Sequence, residues 1–239
     1  MSFIFCFPLP IVQATFLERP QRFLARVALP DGTETLAYCA NPGSLRGCLR
    51  ERSRVLLWDS GNLDRKRRYT WRAIKLGNVW VGTDTHLANE IVVQLLKRGL
   101  LPTLIGYDRV EREIVVEPGL RLDFMLTGAK GICFLEVKNS VVVENGVARF
   151  PDSITTRGLK HLVGLTRKAE EGHRSVLLFI VPRSDADSFS ICDHHYPAYA
   201  EALRSAIAAG VELIALSVNV SPKGFNHPRP LSCLFRNSV

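Results

Sequence analysis

Short apolar segments alternate with polar turn residues over the first third of the chain, a pattern typical of β-strands joined by tight turns. Pro30-Asp31-Gly32 and Asn41-Pro42-Gly43-Ser44 are strong turn signals. No long helical pattern is found in this region, so we predict four or five short strands, a number that indicates a small β-barrel or sandwich. The clearest predicted strands are residues 23–29, 35–39, 55–58 and 79–82.

From residue 83 onward, helical and strand patterns alternate, which predicts an α/β domain. Leu87, Ile91 and Leu95 recur at helical spacing and predict a helix over 85–98, which a glycine ends. The continuous apolar run 175–181 predicts a central strand buried on both faces. The other predicted helices are 153–171 and 197–209, the other strands are 114–116, 120–126, 132–137, 141–143 and 211–220, and the segment 221–239 is predicted to be irregular.

The excess positive charge lies in the first third of the chain. The 239 residues include 31 Lys/Arg and 23 Asp/Glu, a net charge of +8. Residues 1–83 hold 13 basic and 6 acidic side chains, a net charge of +7, so the remainder is nearly balanced. We therefore predict a basic module over 1–83 and an α/β domain over 84–239. A basic module attracts polyanions by counterion release, which makes nucleic acid a candidate partner beside the plainer interpretation of a charged surface.

Cysteine spacing and hydropathy predict a cytoplasmic protein with no membrane partner. The six cysteines form no C-x-x-C pair, which disfavours a zinc site or a disulfide framework and favours thiols in a reducing compartment. The apolar N-terminus is short and lacks a signal-peptide cleavage site, and no stretch approaches the roughly 18 apolar residues of a membrane span. His194 and His195 are adjacent and would point apart, so we predict a surface loop there rather than a metal site.

Three ionisable residues interrupt apolar strands in the second unit. Glu136 and Lys138 are two residues apart and therefore share one face of a strand. A turn at 127–131 would pair this strand with the preceding one and bring Asp123 to the same face. Two carboxylates suit Mg²⁺, a hard cation that prefers oxygen ligands, and a lysine can stabilise charge that develops on a phosphate. The plainer alternative is a set of charges at the end of a sheet, or a structural ion pair.

These residues, together with segments elsewhere, carry a resemblance to a known family. Arg121-Leu122-Asp123-Phe124 and Glu136-Val137-Lys138, with twelve residues between Asp123 and Glu136, resemble the core of the PD-(D/E)xK nuclease superfamily. Further segments resemble the sugar fermentation stimulation protein (SfsA) family, in the same order, from about residue 12 to 220. They are residues 21–27, 39–45, Ala88-Asn89, residues 150–162 and Gly210-Val211-Glu212.

The resemblance implies a fold and a function. It implies a small N-terminal OB-like β-barrel followed by a nuclease-like α/β domain with a mixed central sheet. It also implies a DNA-binding protein with weak sequence preference, linked to the expression of sugar-utilisation genes. In the related nucleases, the positions matching Asp123 and Glu136 bind metal, and the position matching Lys138 assists catalysis.

Gln94 departs from the family pattern, because family members commonly have glutamate at this place in the first helix. Many nucleases of the superfamily use a helix glutamate at the metal site, and glutamine carries no charge. Glu90, one turn earlier, or Glu113 could supply a carboxylate instead. The departure weakens the prediction of a fully competent nuclease.

Two groups of basic residues are the predicted DNA contacts. In the first, four consecutive cations precede Tyr69 and Trp71, a combination that binds phosphates and stacks on bases; the alternative is a solvated loop with Trp71 in the core. In the second, a helix face forms a phosphate clamp beside the carboxylates, or simply an exposed polar face. Asp152 is predicted to cap that helix. The predicted contacts are Arg22, Arg65, Lys66, Arg67, Arg68, Arg157, Lys160 and His161.

Two functions of different class are compatible with these patterns. The first, which we predict, is a DNA-binding regulator of broad sequence preference, acting on single- or double-stranded DNA. The second is a nuclease that uses Mg²⁺ or Mn²⁺ held by Asp123 and Glu136, with Lys138 beside them. The complete set of three residues favours the nuclease, and Gln94 favours the regulator. A third class is an enzyme acting on a small phosphorylated metabolite.

Overall fold

The N-terminal part of the chain forms a closed β-barrel. The computed structural model describes residues 2–192 and 196–234. The strands before the first helix are β1 Phe5–Cys6, β2 Ile11–Gln21, β3 Leu24–Ala28, β4 Glu34–Tyr38, β5 Arg54–Asp59, β6 Tyr69–Leu76 and β7 Val79–Gly82.

Five of these strands complete a ring. β2 pairs with β3, β3 with β4, β4 with β6, β6 with β5, and β5 again with β2. Inside the barrel, the buried rings of Phe16 and Trp71 stack with their centroids 5.2 Å apart. The prediction of a small barrel is confirmed. The sequence pattern missed β2 and β6, both of which contain polar residues among the apolar ones.

The remaining elements alternate between helices and strands. A single 3₁₀ turn, Pro102–Leu104, follows the first helix. The helices are α1 His86–Lys97, α2 Thr156–Glu170 and α3 Pro197–Ala208. The strands are β8 Arg109–Glu117, β9 Leu120–Gly128, β10 Gly131–Asn139, β11 Val142–Glu144, β12 Val147–Phe150, β13 Arg174–Val181, β14 Ser188–Ile191, β15 Glu212–Ser221, β16 Gly224–Pro230 and β17 Ser232–Leu234.

A mixed sheet forms the centre of this part, in the order β7-β15-β13-β10-β9-β8. β13 is parallel to its neighbours β10 and β15, whereas β9 is antiparallel to both β8 and β10. β13 is buried on both faces, as predicted: Val176 and Leu178 pack into the core cluster that includes α1, and Leu177 and Phe179 into the cluster that includes α2 and α3. A smaller sheet has the order β11-β12-β14-β17.

Three predictions about the chain path need correction. α2 begins at Thr156 rather than at residue 153, and its N-cap is Thr155, whose hydroxyl oxygen accepts a 3.0 Å hydrogen bond from the Gly158 N–H. Asp152 is therefore not the cap. The segment after residue 221, predicted to be irregular because of its prolines, contains β16 and β17. Pro228 and Pro230 are tolerated in β16 because they lie beyond its two pairs with β1, where β16 has β15 alone as a partner.

The loop predicted at His194 and His195 falls outside the residues that the structure describes, as do residues 235–239. Within the described residues, no helix is long and apolar enough to cross a membrane.

Candidate functional site

The hairpin of β9 and β10 opens at Asp123. Ladder pairing ends at the pair Phe124↔Leu135. Beyond it, side chains replace the ladder: Asp123 Oδ2 accepts a 2.8 Å hydrogen bond from the Val137 N–H, and the Asp123 N–H donates to Glu136 Oε2 at 3.3 Å. The split holds both carboxylates at the point where the strands separate. Asp123 thus approaches the face that Glu136 and Lys138 share, as the alternation of the strand predicts.

The carboxylate of Glu136 is at the centre of the site, with its side chain 1% exposed. Its Oε1 atom is bonded by the Lys138 ammonium from the same strand and by His161 Nδ1 from α2. Because both partners converge on one oxygen, Oε2 keeps a free lone-pair direction beside its contact to the Asp123 N–H. His161 is buried against Glu136 and is not part of an exposed helix face.

Arg157 fixes the orientation and tautomer of His161. Its Nε–H donates to His161 Nε2 at 3.2 Å. A guanidinium can only donate, so Nε2 is the acceptor, and the proton of the neutral ring is on Nδ1, from which it is donated to Glu136. The sequence grouped Arg157 and His161 as a phosphate clamp; the structure adds that they form a chain of contacts ending on the carboxylate.

Asn89 also belongs to the site, although the sequence analysis assigned no function to it. It lies on α1, and its Nδ2 donates to Asp123 Oδ1 at 2.8 Å. The two acidic residues considered in place of a helix glutamate are each paired with an arginine: Glu90 with Arg112 at 2.7 Å and Glu113 with Arg121 at 3.4 Å. The helix contribution to the site is thus an amide that holds the Asp123 carboxyl in place.

The two carboxyl groups have opposite pKa shifts. Burial, together with the charge of Glu136, raises the pKa of Asp123. Burial also acts to raise the pKa of Glu136, but the adjacent Lys138 and His161 outweigh it, and the net pKa of Glu136 is lowered. Of the two, Glu136 therefore ionises at the lower pH, and a further cation would favour ionisation of Asp123.

This donor set fits a divalent cation with few protein ligands. Within the described residues, no group of three or more His, Cys, Asp or Glu side chains is arranged to hold a metal ion. Mg²⁺, however, commonly uses only one or two carboxylates and keeps several waters. Asp123 and Glu136 are such a pair. Burial first, and the charge of Glu136 second, raise the pKa of Asp123, and a bound cation would favour its ionised form.

A basic cleft adjoins these residues. Its volume is about 560 Å³. Three cationic side chains line it, Arg121 from β9 and Arg157 and Lys160 from α2, and His161 forms part of its wall. Arg121 was not among the predicted contacts, although it lies two residues before Asp123. The arrangement places exposed positive charge beside the half-buried Asp123 and the buried Glu136, where a phosphate group would approach.

The predicted contacts on the barrel lie apart from this cleft and are not equivalent. Arg68 is held by a bidentate pair with Asp59, at 2.7 and 2.5 Å, whereas Arg65 and Lys66 are exposed. The prediction that Trp71 stacks on bases is wrong, because Trp71 is fully buried in the barrel. Arg22 is exposed and lines a separate cavity of about 360 Å³ with Arg19 and Ser44.

Asp152 joins the two parts of the chain instead of capping α2. Its Oδ2 accepts hydrogen bonds from the Ser44 hydroxyl at 3.1 Å and from the Leu45 N–H at 3.3 Å. Gly43 passes close by, and a Cβ atom there would lie 2.7 Å from the Asp152 carboxylate. The turn 41–44 is therefore a docking segment between the barrel and the entrance to α2.

The chain is similar to known proteins over both of its parts. Residues 17–83 match a family domain described as "SfsA N-terminal OB domain", and residues 86–224 match "Sugar fermentation stimulation protein RE domain". A "Sugar fermentation stimulation protein homolog" of Citrifermentans bemidjiense is 40% identical over 214 residues, which cover 90% of this chain and 93% of that protein. One of Rhodospirillum rubrum is 38% identical over 228 residues, with the same coverage of 90% and 93%.

A solved structure is similar over nearly the whole chain. It is described as "The structure of Pyrococcus Furiosus SfsA in complex with Ca2+" and has a TM-score of 0.90 and 26% sequence identity. The match covers 98% of this chain and 100% of that one. Together, these similarities identify the closed barrel as an OB domain and bear out the α/β domain with a mixed sheet that follows it.

Proposed function

The chain belongs to the sugar fermentation stimulation protein family, and from this membership and the site we propose that it is a DNA-binding protein of broad sequence preference. The observation that carries the proposal is that one cleft contains both a group of cationic side chains and a residue bonded to the buried Glu136. Arg121, Arg157 and Lys160 provide cations for a phosphate backbone, and the cleft wall contains His161, which is bonded to Glu136. A role as a regulator of sugar-utilisation genes rests on the family resemblance alone.

The barrel supplies the broad part of the affinity in this proposal. Arg65 and Lys66 are exposed, and the unit to which they belong carries nearly all of the net charge. Contacts from such residues to phosphates are independent of base sequence. We also place the protein in the cytoplasm, because no disulfide joins its six cysteines, all of which lie within the described residues. Burial raises the pKa values of the Cys48 and Cys133 thiols to about 11 and about 12.

A second function, a metal-dependent nuclease, is favoured by one specific observation. Glu136 joins the three residues, because its carboxylate accepts hydrogen bonds from the Asp123 N–H and from the Lys138 ammonium. Asp123 and Glu136 would hold Mg²⁺ or Mn²⁺, which when bound would polarise a phosphodiester and activate a water. The Ca²⁺ complex of the Pyrococcus furiosus relative supports a divalent cation in this family. Lys138 would place positive charge beside the scissile phosphate.

Cleavage and binding of labelled single- and double-stranded DNA, with Mg²⁺, Mn²⁺ or EDTA, separate the two functions. If the protein is a nuclease, Asp123→Ala and Lys138→Ala should each lower metal-dependent cleavage by about 10²- to 10³-fold while binding is retained. Binding without cleavage in every metal condition leaves the regulator. Absence of binding to either DNA contradicts both and favours a small phosphorylated substrate.

The barrel loop, residues 60–68 between β5 and β6, contains the predicted cationic contacts. Removing three of its cations should weaken binding to unrelated DNA sequences equally. We expect the triple variant Arg65→Ala, Lys66→Ala, Arg67→Ala to flatten the dependence of log K on log salt by about 0.9 per lost duplex contact. Arg68 is left in place because it pairs with Asp59. The measurement is a salt titration of binding by fluorescence anisotropy.

The matched control for this titration removes exposed lysines from other elements. Lys97→Ala combined with Lys223→Ala lowers the net charge without altering the loop. An unchanged slope in the triple variant, or an equal change in the control, would remove the loop from the DNA interface.

A further inference from the structure

Trp58 presents its ring on the outer side of the barrel. It follows Leu57 in β5, and Leu57 is buried in the barrel core, so the two side chains point to opposite faces. The Trp58 side chain is partly exposed, unlike the fully buried Trp71. A partly exposed tryptophan ring next to a basic loop is a combination from which single-stranded nucleic-acid sites are built.

Two guanidinium groups lie over the Trp58 ring, and they differ in how firmly they are held. Arg72 is 5.1 Å from the ring centroid, is buried, and is ion-paired with the buried Asp84. Arg65 is 5.5 Å from the centroid and is exposed, with no carboxylate partner in the part of the chain that the structure describes. The Arg72 side chain is thus held in place by its ion pair, whereas the Arg65 side chain can move away from the ring.

Cationic side chains beside the Trp58 ring could bind the phosphates of a strand whose base stacks on it. Lys66 and Arg67 also have no ion-pair partner over residues 2–192 and 196–234. Arg68 is different, because Asp59 neutralises it and its guanidinium lies 5.3 Å from the centre of the Tyr69 ring. The loop therefore concentrates uncompensated positive charge beside one accessible aromatic face.

We propose that Trp58 is a base-stacking residue for single-stranded DNA, and that Arg65 covers its ring in the unbound protein and moves to a phosphate when a base stacks. The inference rests on the proposed function and narrows its ligand, because a base that is paired and stacked within a duplex cannot reach the ring. Stacking on an aromatic face is tolerant of base identity, which agrees with broad sequence preference.

The experiment compares an oligonucleotide of thymidines with an abasic oligonucleotide of the same length and charge. We expect Trp58→Ala to weaken binding of the thymidine strand by roughly five- to a hundredfold and to leave binding of the abasic strand unchanged. Trp58→Phe should keep most of the affinity, since a ring remains. Trp80→Phe, at another partly exposed tryptophan, is the matched control and should bind as the wild type does.

A second measurement does not depend on the stability of the alanine variant. Tryptophan fluorescence of the wild type should be quenched by the thymidine strand and not by the abasic strand, and this quenching should be absent in Trp58→Phe but present in Trp80→Phe. If the wild type binds the thymidine strand and neither the affinity nor the quenching depends on Trp58, the stacking site is refuted while DNA binding stands. If the wild type binds neither strand but binds duplex DNA, the stacking site is refuted and the proposed function stands. If it binds neither single strands nor duplex DNA, both fail.

Discussion

Replacing Lys138 with methionine is expected to lower the free energy of unfolding by about 3 to 5 kcal/mol near neutral pH. The Lys138 and Glu136 side chains are only 14% and 1% exposed, so the pair is shielded from solvent. Methionine fills a similar volume but leaves the Glu136 carboxylate buried without its cation. His161 Nδ1 and the Asp123 N–H still donate to the carboxylate, but neutral donors do not compensate a buried charge.

The pH dependence of this loss identifies Glu136 as its origin. In the wild type the pKa of Glu136 lies below its ordinary 4.5, so the carboxylate stabilises the fold above that pH, and the contribution is lost as the pH falls through the folded pKa. Without Lys138, burial is less opposed and the pKa should rise. The penalty in the variant then disappears on acidification, and the two stabilities should converge once the pH falls below the folded pKa of Glu136 in the wild type, which is itself below 4.5.

Urea denaturation at neutral and acidic pH measures this difference, with Lys223→Met as the control at an exposed lysine. The double variant Lys138→Met, Glu136→Met should regain most of the lost stability, because both members of the pair are then apolar. A loss for Lys138→Met that is the same at both pH values would show that packing, not the unpaired carboxylate, is responsible.

The features that the sequence predicts well are those fixed by local periodicity. The helix predicted over 85–98 is His86–Lys97, and the strand predicted over 175–181 is Arg174–Val181. The shared face of Glu136 and Lys138 follows from strand alternation alone, which any extended backbone imposes. The approach of Asp123 required only that the hairpin form across a short turn, which it does at Gly128↔Gly131.

The features that the sequence missed depend on contacts between distant segments. Asn89 meets Asp123 from 34 residues away, because α1 packs across the open end of the hairpin. Trp58 and Trp71 both lie in strands with mixed neighbours, and only the closure of the barrel decides which ring is inside. His161 is polar on a helix that reads as amphipathic, and it is buried because Glu136 lies opposite it on the sheet.

The site also costs the fold some stability, and Asp123 is where that cost is concentrated. Its folded-state pKa is raised above the ordinary 3.8, first by burial and then by Glu136. A carboxyl group with a raised folded pKa destabilises the fold above that pKa, and the penalty vanishes as the pH falls below the unfolded value. Such a group is retained where a cation is to be bound, since the bound cation reverses the penalty.

Asp123→Asn is therefore expected to raise the stability of the metal-free protein by about 1 kcal/mol at neutral pH and to abolish its response to Mg²⁺ or Ca²⁺. Asparagine can still accept from the Val137 N–H, and the Asn89 amide can rotate to accept from the new NH₂ group. In the wild type, a cation at a hundred times its Kd should stabilise the fold by about 2.7 kcal/mol.

Thermal denaturation with and without the cation tests both halves of this expectation, and Asp108→Asn, at an exposed aspartate, is the matched control. The control should resemble the wild type in each condition. The order of stability should reverse between the two conditions: the variant should be more stable in EDTA and the wild type more stable with the cation. A variant that is less stable in EDTA would show that ionised Asp123 supports the fold, and a cation response that persists in it would place the metal on other ligands. Either result would show that the opened hairpin and the raised pKa of its Asp123 carboxyl do not serve to bind a divalent cation.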